Sequence, residues 1–340
     1  MRFSMIAFAV GMVFAFAAAG FARQAAAPAG DVVIGSGSFS PIVKDLDKSL
    51  AFYRHLLGVS APATATEPTP FGNDSALLNF LGTPTAQVRV GTVRIPGTMM
   101  NVEIVDFKDI DRKAVHPRLQ DPGAVMLILL VRDVDTLLAD MKKQGAPVVT
   151  AGGVPVTVAD KTRAVVIQDP DGFHIALLQI DPLPETTAPA ASNVIGSRFA
   201  LTVEDTDQTV RVYRDVLGFK PEAGGFSVNK SWNDLMNTAG AQMRRTTAMV
   251  PGSPLQVEFL EFKGIERHPI NARIQDSGAT RLQLRVRDSD AAVKALKTAG
   301  GRVITTGGND GPIDMRGLHL AIVREVNNLF LVIFAQPPRR

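Results

Sequence analysis

The feature that most constrains the fold of this 340-residue chain is an internal repeat. Residues 43–45, Val-Lys-Asp, return as Val-Glu-Asp at 203–205, which is 160 positions later. Residues 118–124, Arg-Leu-Gln-Asp-Pro-Gly-Ala, return as Arg-Ile-Gln-Asp-Ser-Gly-Ala at 273–279, which is 155 positions later. Repetition within one chain indicates that a structural unit has been duplicated.

The repeat predicts two related domains, 31–180 and 193–336, joined by a linker at 181–192. The linker is rich in proline, alanine and threonine, which is typical of a connecting segment. Each domain divides again into two modules, in which one strand, one helix and three strands follow in order. In the first repeat the predicted strands are 38–44, 75–81, 87–95, 99–107, 125–132, 164–168 and 173–179, and the predicted helices are 45–57 and 133–144. The sequence therefore predicts an α+β protein of four βαβββ modules.

The N-terminus has the pattern of a secretory signal. Arg2 precedes an unbroken run of apolar and small residues at 5–19, and small residues at 20–27 offer cleavage sites. The pattern predicts a cleaved signal peptide at 1–27 and a periplasmic or secreted protein that is not attached to a membrane after cleavage. An uncleaved anchor at 4–22 is the alternative, which the alanine and glycine content of the segment disfavours.

Composition excludes several kinds of chemistry. The chain has no cysteine, so disulfides, thiolate nucleophiles and zinc–thiolate sites are excluded. The formal net charge is only +3 and no stretch concentrates basic residues, so a nucleic-acid partner is not expected.

Two motifs in the first repeat identify a family resemblance. Residues 43–53 read VKDLDKSLAFY, and residues 169–176 read DPDGFHIA. At this separation they resemble the opening and closing signatures of the vicinal-oxygen-chelate superfamily, which includes glyoxalase I, extradiol dioxygenases and bleomycin-resistance proteins. The resemblance covers nearly all of 31–336. It implies that the four modules pair into two glyoxalase/bleomycin-resistance/dioxygenase-type domains, with curved mixed sheets around a cavity.

The resemblance also implies where metal ligands would stand. Metal-binding members of the family use His or Glu at four positions in each domain. Those positions hold Ser38, Glu103, Met126 and Ala176 in the first repeat, and Arg198, Glu258, Arg281 and Val332 in the second. One carboxylate does not hold a divalent ion against water, because catalytic metal sites use about three protein ligands. We therefore expect no metal and no other cofactor.

Strand alternation predicts which side chains face each cavity. With the two modules of each repeat assumed to share a cavity, the first would be lined by Ser38, Ser40, Asn101, Glu103, Met126, Ile128, Leu130, His174 and Ala176. The second would be lined by Arg198, Thr202, Gln256, Glu258, Arg281, Gln283 and Arg285. The first prediction is a largely apolar pocket, and the second is a cationic pocket that would prefer an anionic small molecule.

Each candidate residue also has a structural interpretation. Glu103 and Glu258 are candidate general bases, or they only accept hydrogen bonds within the sheet. His174 is interpreted as a hydrogen-bonded wall residue rather than a catalyst. The repeated Arg-x-Gln-Asp loop is interpreted as a brace between modules, because it occurs in both copies although their pockets differ.

The sequence favours metal-free binding of a small organic ligand in cavities between modules. An enzyme of the same family, a lyase, isomerase or oxygenase with an atypical site, is the alternative, since a single carboxylate can still move a proton. A structural or partner-binding protein with vestigial cavities is the second alternative.

Overall fold

A computed structural model describes residues 32–59 and 68–336 of the chain. The predicted signal peptide at 1–27 lies outside the described residues. Within those residues, no helix combines the length and the apolar character needed to cross a membrane.

The secondary structure follows the four modules. The first contains β1 (Val33–Val43), α1 (Leu46–Leu56), α2 (Ser75–Phe80), β2 (Gln87–Arg94) and β3 (Asn101–Lys108). The second contains β4 (Val125–Val131), α3 (Val134–Lys143), β5 (Val156–Ala159), β6 (Thr162–Gln168) and β7 (His174–Ile180). The third contains β8 (Val194–Thr202), α4 (Thr206–Arg211) with a π turn at Val212–Val216, β9 (Glu222–Ser227), α5 (Lys230–Met236), β10 (Gln242–Met249) and β11 (Gln256–Lys263). The fourth contains β12 (Thr280–Val286), α6 (Ser289–Thr298), β13 (Arg302–Val303), β14 (Ile313–Met315), β15 (Leu318–Arg324) and β16 (Phe330–Ala335).

The modules pair into two mixed sheets, as the α+β prediction requires. Sheet I joins the first and fourth modules in the order β13-β15-β16-β12-β1-β3-β2, with β14 beside β15. Sheet II joins the second and third modules in the order β5-β6-β7-β4-β8-β11-β10-β9. Antiparallel pairing of β1 with β12 joins the two modules of sheet I, and Ser40 lies opposite Arg281 there. Antiparallel pairing of β4 with β8 joins the two modules of sheet II.

This pairing corrects the assumption that the two modules of one repeat share a cavity. The connectors between modules cross from one sheet to the other and bind each other there. Asp121 in the first connector accepts the backbone N–H of His268 at 2.9 Å, and Asp276 in the second accepts that of Lys113 at 2.8 Å. The reciprocal contacts hold each connector against its counterpart, and β1 pairs with β12 rather than with β4.

The repeated Arg-x-Gln-Asp loop is confirmed as a brace. Arg118 Nη2 lies 2.8 Å from Asp121 Oδ1, and Arg273 Nη2 lies 2.8 Å from Asp276 Oδ1. Each arginine holds the carboxylate that receives the backbone of the other connector. The loop therefore stabilises the crossing between the sheets.

The predicted strand at 75–81 is wrong, because Ser75–Phe80 forms helix α2. Asp74 caps the helix by accepting the backbone N–H groups of Ala76 and Leu77, and a capped N-terminus favours a helical turn. Leu78 and Phe80 are buried against apolar residues of the fourth module. Helix α5 occupies the matching place against the second module. Each of these helices covers part of the concave face of a sheet.

The largest core lies between the opposite faces of the two sheets and under the long helices. Phe39 of sheet I is packed against two aromatic rings of sheet II, with centroids 6.4 Å from Phe173 and 5.9 Å from Phe199. Because this core spans both sheets, the two halves of the molecule share the stabilisation that apolar burial provides.

The two family motifs of the first repeat contact each other across the sheets. Tyr53 of α1 donates its hydroxyl to Asp169 Oδ2 at 2.9 Å, and Ser49 donates to Asp171 Oδ2 at 2.8 Å. Burial raises the pKa of Asp169 to about 7, and the nearby Asp171 adds to the rise. These four side chains thus join the first module to the second, and none of them is a predicted ligand-binding residue.

Candidate functional site

The polar centre of sheet I is the Glu103 carboxylate on β3. Its Oε1 accepts hydrogen bonds from Ser40 Oγ at 3.2 Å, Arg281 Nη2 at 3.1 Å and Gln283 Nε2 at 3.3 Å. The three donors come from β1 and β12, which pair directly, so both modules contribute to the cluster. Arg281 is 2% exposed and the Glu103 side chain is 27% exposed. The cluster is therefore a partly buried ion pair with one side towards solvent.

Arg281 is held at an electrostatic cost. Burial lowers the pKa of its guanidinium, and the neighbouring Glu103 carboxylate opposes this effect. Its Nε is buried without a hydrogen-bond partner. A buried guanidinium without a counter-charge is strongly unfavourable, so Glu103 is needed to keep Arg281 in the fold.

The remaining candidates on sheet I surround this pair. Ser38 is buried and its backbone N–H donates to Gln283 Oε1 at 3.2 Å. Asn101 is half-buried at the start of β3, two residues before Glu103. Arg285 is exposed and donates to the backbone carbonyl of Ile34 at 3.1 Å. The open part of the concave face is thus polar.

Sheet II carries a second glutamate at the matching position. Glu258 is 3% exposed and accepts from Arg245 Nε at 2.6 Å and from Arg245 Nη2 at 2.7 Å. Arg198 Nη1 lies 3.7 Å from the same carboxylate. The Arg245 guanidinium also lies over the Trp232 ring, 5.7 Å from its centroid. This carboxylate is neutralised by two arginines.

Sequence reasoning missed Arg245. The faces of β10 were not assigned from the sequence, although alternation gives the answer once its register is known. Thr247 lies opposite Glu258, so Arg245, two residues earlier on β10, projects to the same face.

His174 and Met126 belong to sheet II, not to the Glu103 cluster. They lie directly opposite each other on β7 and β4 and are both 3% exposed. His174 Nε2 lies 3.3 Å from Gln168 Nε2, and its Nδ1 has no partner. Burial lowers the pKa of His174 to about 4, so the ring is neutral at pH 7. A neutral imidazole among apolar side chains agrees with the interpretation of His174 as a wall residue.

Gln256 lies two residues before Glu258 on β11 and lines a cavity. It is half-buried and lies opposite Arg198 on the neighbouring strand. The cavity has a volume of about 740 Å³ and is also lined by Thr247 and Met249. A cavity of this size accommodates a small organic molecule.

The predicted cavity linings are therefore regrouped. Sheet I brings together Ser38, Ser40, Asn101, Glu103, Arg281, Gln283 and Arg285. Sheet II brings together Met126, His174, Arg198, Gln256 and Glu258, with Arg245 added. The predicted cationic pocket of the second repeat does not form, because its arginines are divided between two sheets and each group includes a glutamate.

The residues at the family's metal positions do not fit a divalent ion. In sheet I these positions hold Ser38, Glu103, Arg281 and Val332, and in sheet II they hold Met126, Ala176, Arg198 and Glu258. Among these positions each sheet has one carboxylate, and an arginine stands beside it. Within residues 32–59 and 68–336, no three His, Asp or Glu side chains come together as a metal-binding group. The positive charge near each glutamate comes from guanidinium groups.

Four βαβββ modules that pair into two curved mixed sheets define a glyoxalase-type fold. Models of the Glyoxalase/Bleomycin resistance protein/Dioxygenase superfamily match residues 37–177 and 198–317. The chain belongs to this superfamily, which confirms the resemblance read from its motifs. No curated protein matches the sequence at a significant level.

Two solved structures resemble most of the chain. Glyoxalase I from Zea mays has a TM-score of 0.55 and 14% identity, over 89% of this chain and 92% of that one. A putative dioxygenase from Bacillus subtilis has a TM-score of 0.55 and 13% identity, over 91% of this chain and 87% of that one. At this identity the likeness establishes the fold alone.

Proposed function

We propose that this chain binds a small organic ligand on the concave faces of its sheets without a divalent metal ion. The observation that carries the proposal is the Glu103–Arg281 contact of 3.1 Å. A guanidinium beside the carboxylate supplies the positive charge that a metal ion would supply, and it donates hydrogen bonds in a fixed direction.

The charge of each face favours an anionic ligand. On sheet I the charged candidates are Arg281, Arg285 and Glu103, and on sheet II they are Arg198, Arg245 and Glu258. One positive charge in each group is left over after pairing. Small carboxylates are the simplest ligands of this kind.

The enzymatic alternative is less favoured. Both oxygens of Glu258 bind the Arg245 guanidinium, and Glu103 Oε1 accepts three donors. A general base needs a carboxylate oxygen that is directed at the substrate proton. At Glu258 the Arg245 contacts occupy both oxygens, and at Glu103 the three donors and the Arg281 charge make the carboxylate a weaker base.

Thermal unfolding with added ligands tests the proposal. We expect no rise in Tm with zinc, manganese, iron or nickel, because an ion that bound the native state would stabilise it by mass action. We expect a rise with at least one small carboxylate, and a smaller rise in Arg285→Gln or Arg198→Gln. Stoichiometric metal that is lost on Glu103→Ala would contradict the proposal and favour a metalloenzyme.

We also propose that the protein is exported. The support is the apolar run at 5–19 after Arg2. In a native-like host the mature chain should begin near Arg23 or Pro28, as measured by N-terminal sequencing of the periplasmic or secreted fraction. Full-length protein in the membrane fraction would favour the anchor instead.

A further inference from the structure

A separate cavity of about 310 Å³ lies at the fourth-module end of sheet I. The residues that matter for its chemistry are Gly82, Arg273, Gln275, Arg302, Arg324 and Phe330. They come from the first module, from the connector before β12 and from the fourth module. At Gly82, with φ of 65°, an added Cβ would lie 2.3 Å from the carbonyl oxygen of Ile304, so the first module closes tightly against the fourth.

Two arginines face each other in this cavity. Arg302 on β13 lies directly opposite Arg324 on β15, and like charges at opposed positions destabilise a sheet. Burial is the largest cause that lowers the pKa of Arg324, and the nearby charge of Arg302 lowers it further. The structure therefore maintains a repulsion that a bound anion would relieve.

Neither arginine has an ion-pair partner within 4.0 Å among the described residues. Arg324 Nη2 donates to Asn271 Oδ1 at 2.7 Å, and its Nε is buried without an acceptor. Arg302 is exposed, and its side chain has no hydrogen-bond partner in the described part of the chain. Glu325, the nearest acid along the chain, accepts the backbone N–H groups of Asn327 and Leu329. Donors thus remain for an oxyanion.

Arg273 frames the wall but adds no unpaired charge. Its guanidinium binds Asp276 at 2.8 Å and Asp111 at 2.8 Å. Gln275 donates to the Asp111 carbonyl at 3.2 Å. The excess charge in the cavity therefore comes from Arg302 and Arg324.

The second module shows that the fold does not require this pair. Val148 pairs with Ile167 there, as Val303 pairs with Val323 in the fourth module. The positions matching Arg302 and Arg324 hold Pro147 and Gln168, and Gln168 N donates to the Pro147 carbonyl at 2.9 Å. The same framework forms without any charge, so the arginine pair serves something other than folding.

We propose that Arg302 and Arg324 bind the phosphate group of a small phosphorylated molecule. A tetrahedral dianion accepts hydrogen bonds from both guanidinium groups and neutralises their facing charges. The cavity volume is at the small end for ligand sites, which fits a phosphate with few additional atoms. The site uses none of the residues that carry the proposed function, so either proposal can fail without the other.

Inorganic phosphate is the probe for this site. The purified protein is unfolded thermally, and titrated by calorimetry, in phosphate and in chloride at equal ionic strength. We expect a saturable rise in Tm with phosphate beyond that in chloride. Loss of a charge-assisted hydrogen bond should raise the Kd for phosphate about tenfold or more in Arg324→Gln and in Arg302→Gln.

Two controls keep the test decisive. Arg316→Gln removes an exposed arginine elsewhere in the fourth module and should leave the Kd for phosphate unchanged. Without phosphate, Arg302→Gln should unfold at the same or a higher temperature than wild type, since the like-charge opposition is gone. An equal Tm rise in chloride, or an unchanged Kd in the double variant Arg302→Gln/Arg324→Gln, would overturn the proposal.

Discussion

At the scale of single residues, Glu103 and Glu258 stand at positions where the family resemblance implies metal ligands, and each has an arginine beside it. The partner of Glu103 is Arg281, which comes from another module. Glu258 forms ion pairs with Arg198 and Arg245. Glu103 is thus the counter-charge of a buried guanidinium, and its contribution to stability can be measured without a ligand.

Glu103→Gln should destabilise the protein by about 3 kcal/mol, because it leaves Arg281 buried without a negative charge. The estimate is at the lower end for a buried pair, since the Glu103 side chain is 27% exposed. The apolar double change Glu103→Leu/Arg281→Met should cost much less, because it removes both charges together. Urea unfolding at pH 7 measures the free energy of unfolding of wild type and of both variants.

Arg285→Gln is the matched control, because this exposed arginine lies four residues further along the same strand. It should change the free energy of unfolding by no more than about 0.5 kcal/mol. A double variant Glu103→Leu/Arg281→Met that is as unstable as Glu103→Gln, or more so, would contradict the electrostatic explanation.

At the scale of secondary structure, a helix and a turn form a junction in each repeat, but with different chemistry. The pair is α1 with the turn after β6 in the first repeat, and α4 and its π turn with the turn after β15 in the second. In the first repeat Tyr53 donates to Asp169 at 2.9 Å. In the second, the equivalent Tyr213 hydroxyl is buried without a partner, while Thr209 bonds to Asn327 instead. The same helix position therefore contributes a hydrogen bond in one repeat only.

Tyr53→Phe and Tyr213→Phe should change the free energy of unfolding differently. The first removes a donor from the buried Asp169 and should cost about 1–3 kcal/mol. The second removes a hydroxyl without a partner, so it should be neutral or slightly stabilising. Chemical denaturation of both variants tests this difference, and equal losses would show that the Tyr53 hydroxyl contributes nothing specific.

The elements differ in how well the sequence predicts them. Helix α1 and the turn at 169–172 were predicted because capping residues, periodicity and turn residues agree. Helix α2 was not, because a six-residue segment rich in apolar side chains has no distinctive period and its partner lies in the fourth module. The side of each strand that a residue faces could be predicted from alternation, but the grouping of those residues into sheets could not. Strands β4 and β12 are equivalent copies, so their patterns alone do not decide which of them pairs with β1.

At the scale of the whole molecule, the two repeats are interleaved. Each sheet takes one module from each repeat, and the connectors brace each other through Asp121 and Asp276. Neither repeat alone contains a complete sheet. Stability should therefore depend on both repeats being present.

Fragments 32–180 and 193–336, produced together, should copurify as one complex that contains both sheets. The physical reason is that β1 needs β12 and β4 needs β8 to cover their edges. Size-exclusion chromatography of the mixture and of each fragment measures this. Two stable monomers that do not associate would contradict the pairing.

The junction between sheets should also make stability depend on pH. Burial raises the pKa of Glu325 to about 7, although the Asn327 and Leu329 backbone N–H groups oppose the rise. The folded protein therefore binds this proton more tightly than the unfolded chain. The resulting stabilisation is complete below about pH 4 and is lost as the pH rises through 7, by about 3 kcal/mol.

Glu325→Gln should flatten this dependence between pH 5 and 8, as measured by unfolding at each pH. Glu222→Gln removes an exposed carboxylate and should leave the slope unchanged. A slope that is the same in Glu325→Gln and in wild type would assign the dependence to other groups, of which Asp169 is the first to examine.

Interleaved pairing also sets the order in which the molecule is completed during synthesis. Sheet II needs only residues up to Lys263, whereas β1 waits for β12, which begins at Thr280, roughly 240 residues after β1 ends. At about 5–20 residues per second, a ribosome takes on the order of tens of seconds to supply that strand. During this time β1 presents an unpaired edge that can join other chains. A chain that stops before Thr280 therefore has one finished sheet and one exposed strand without its partner.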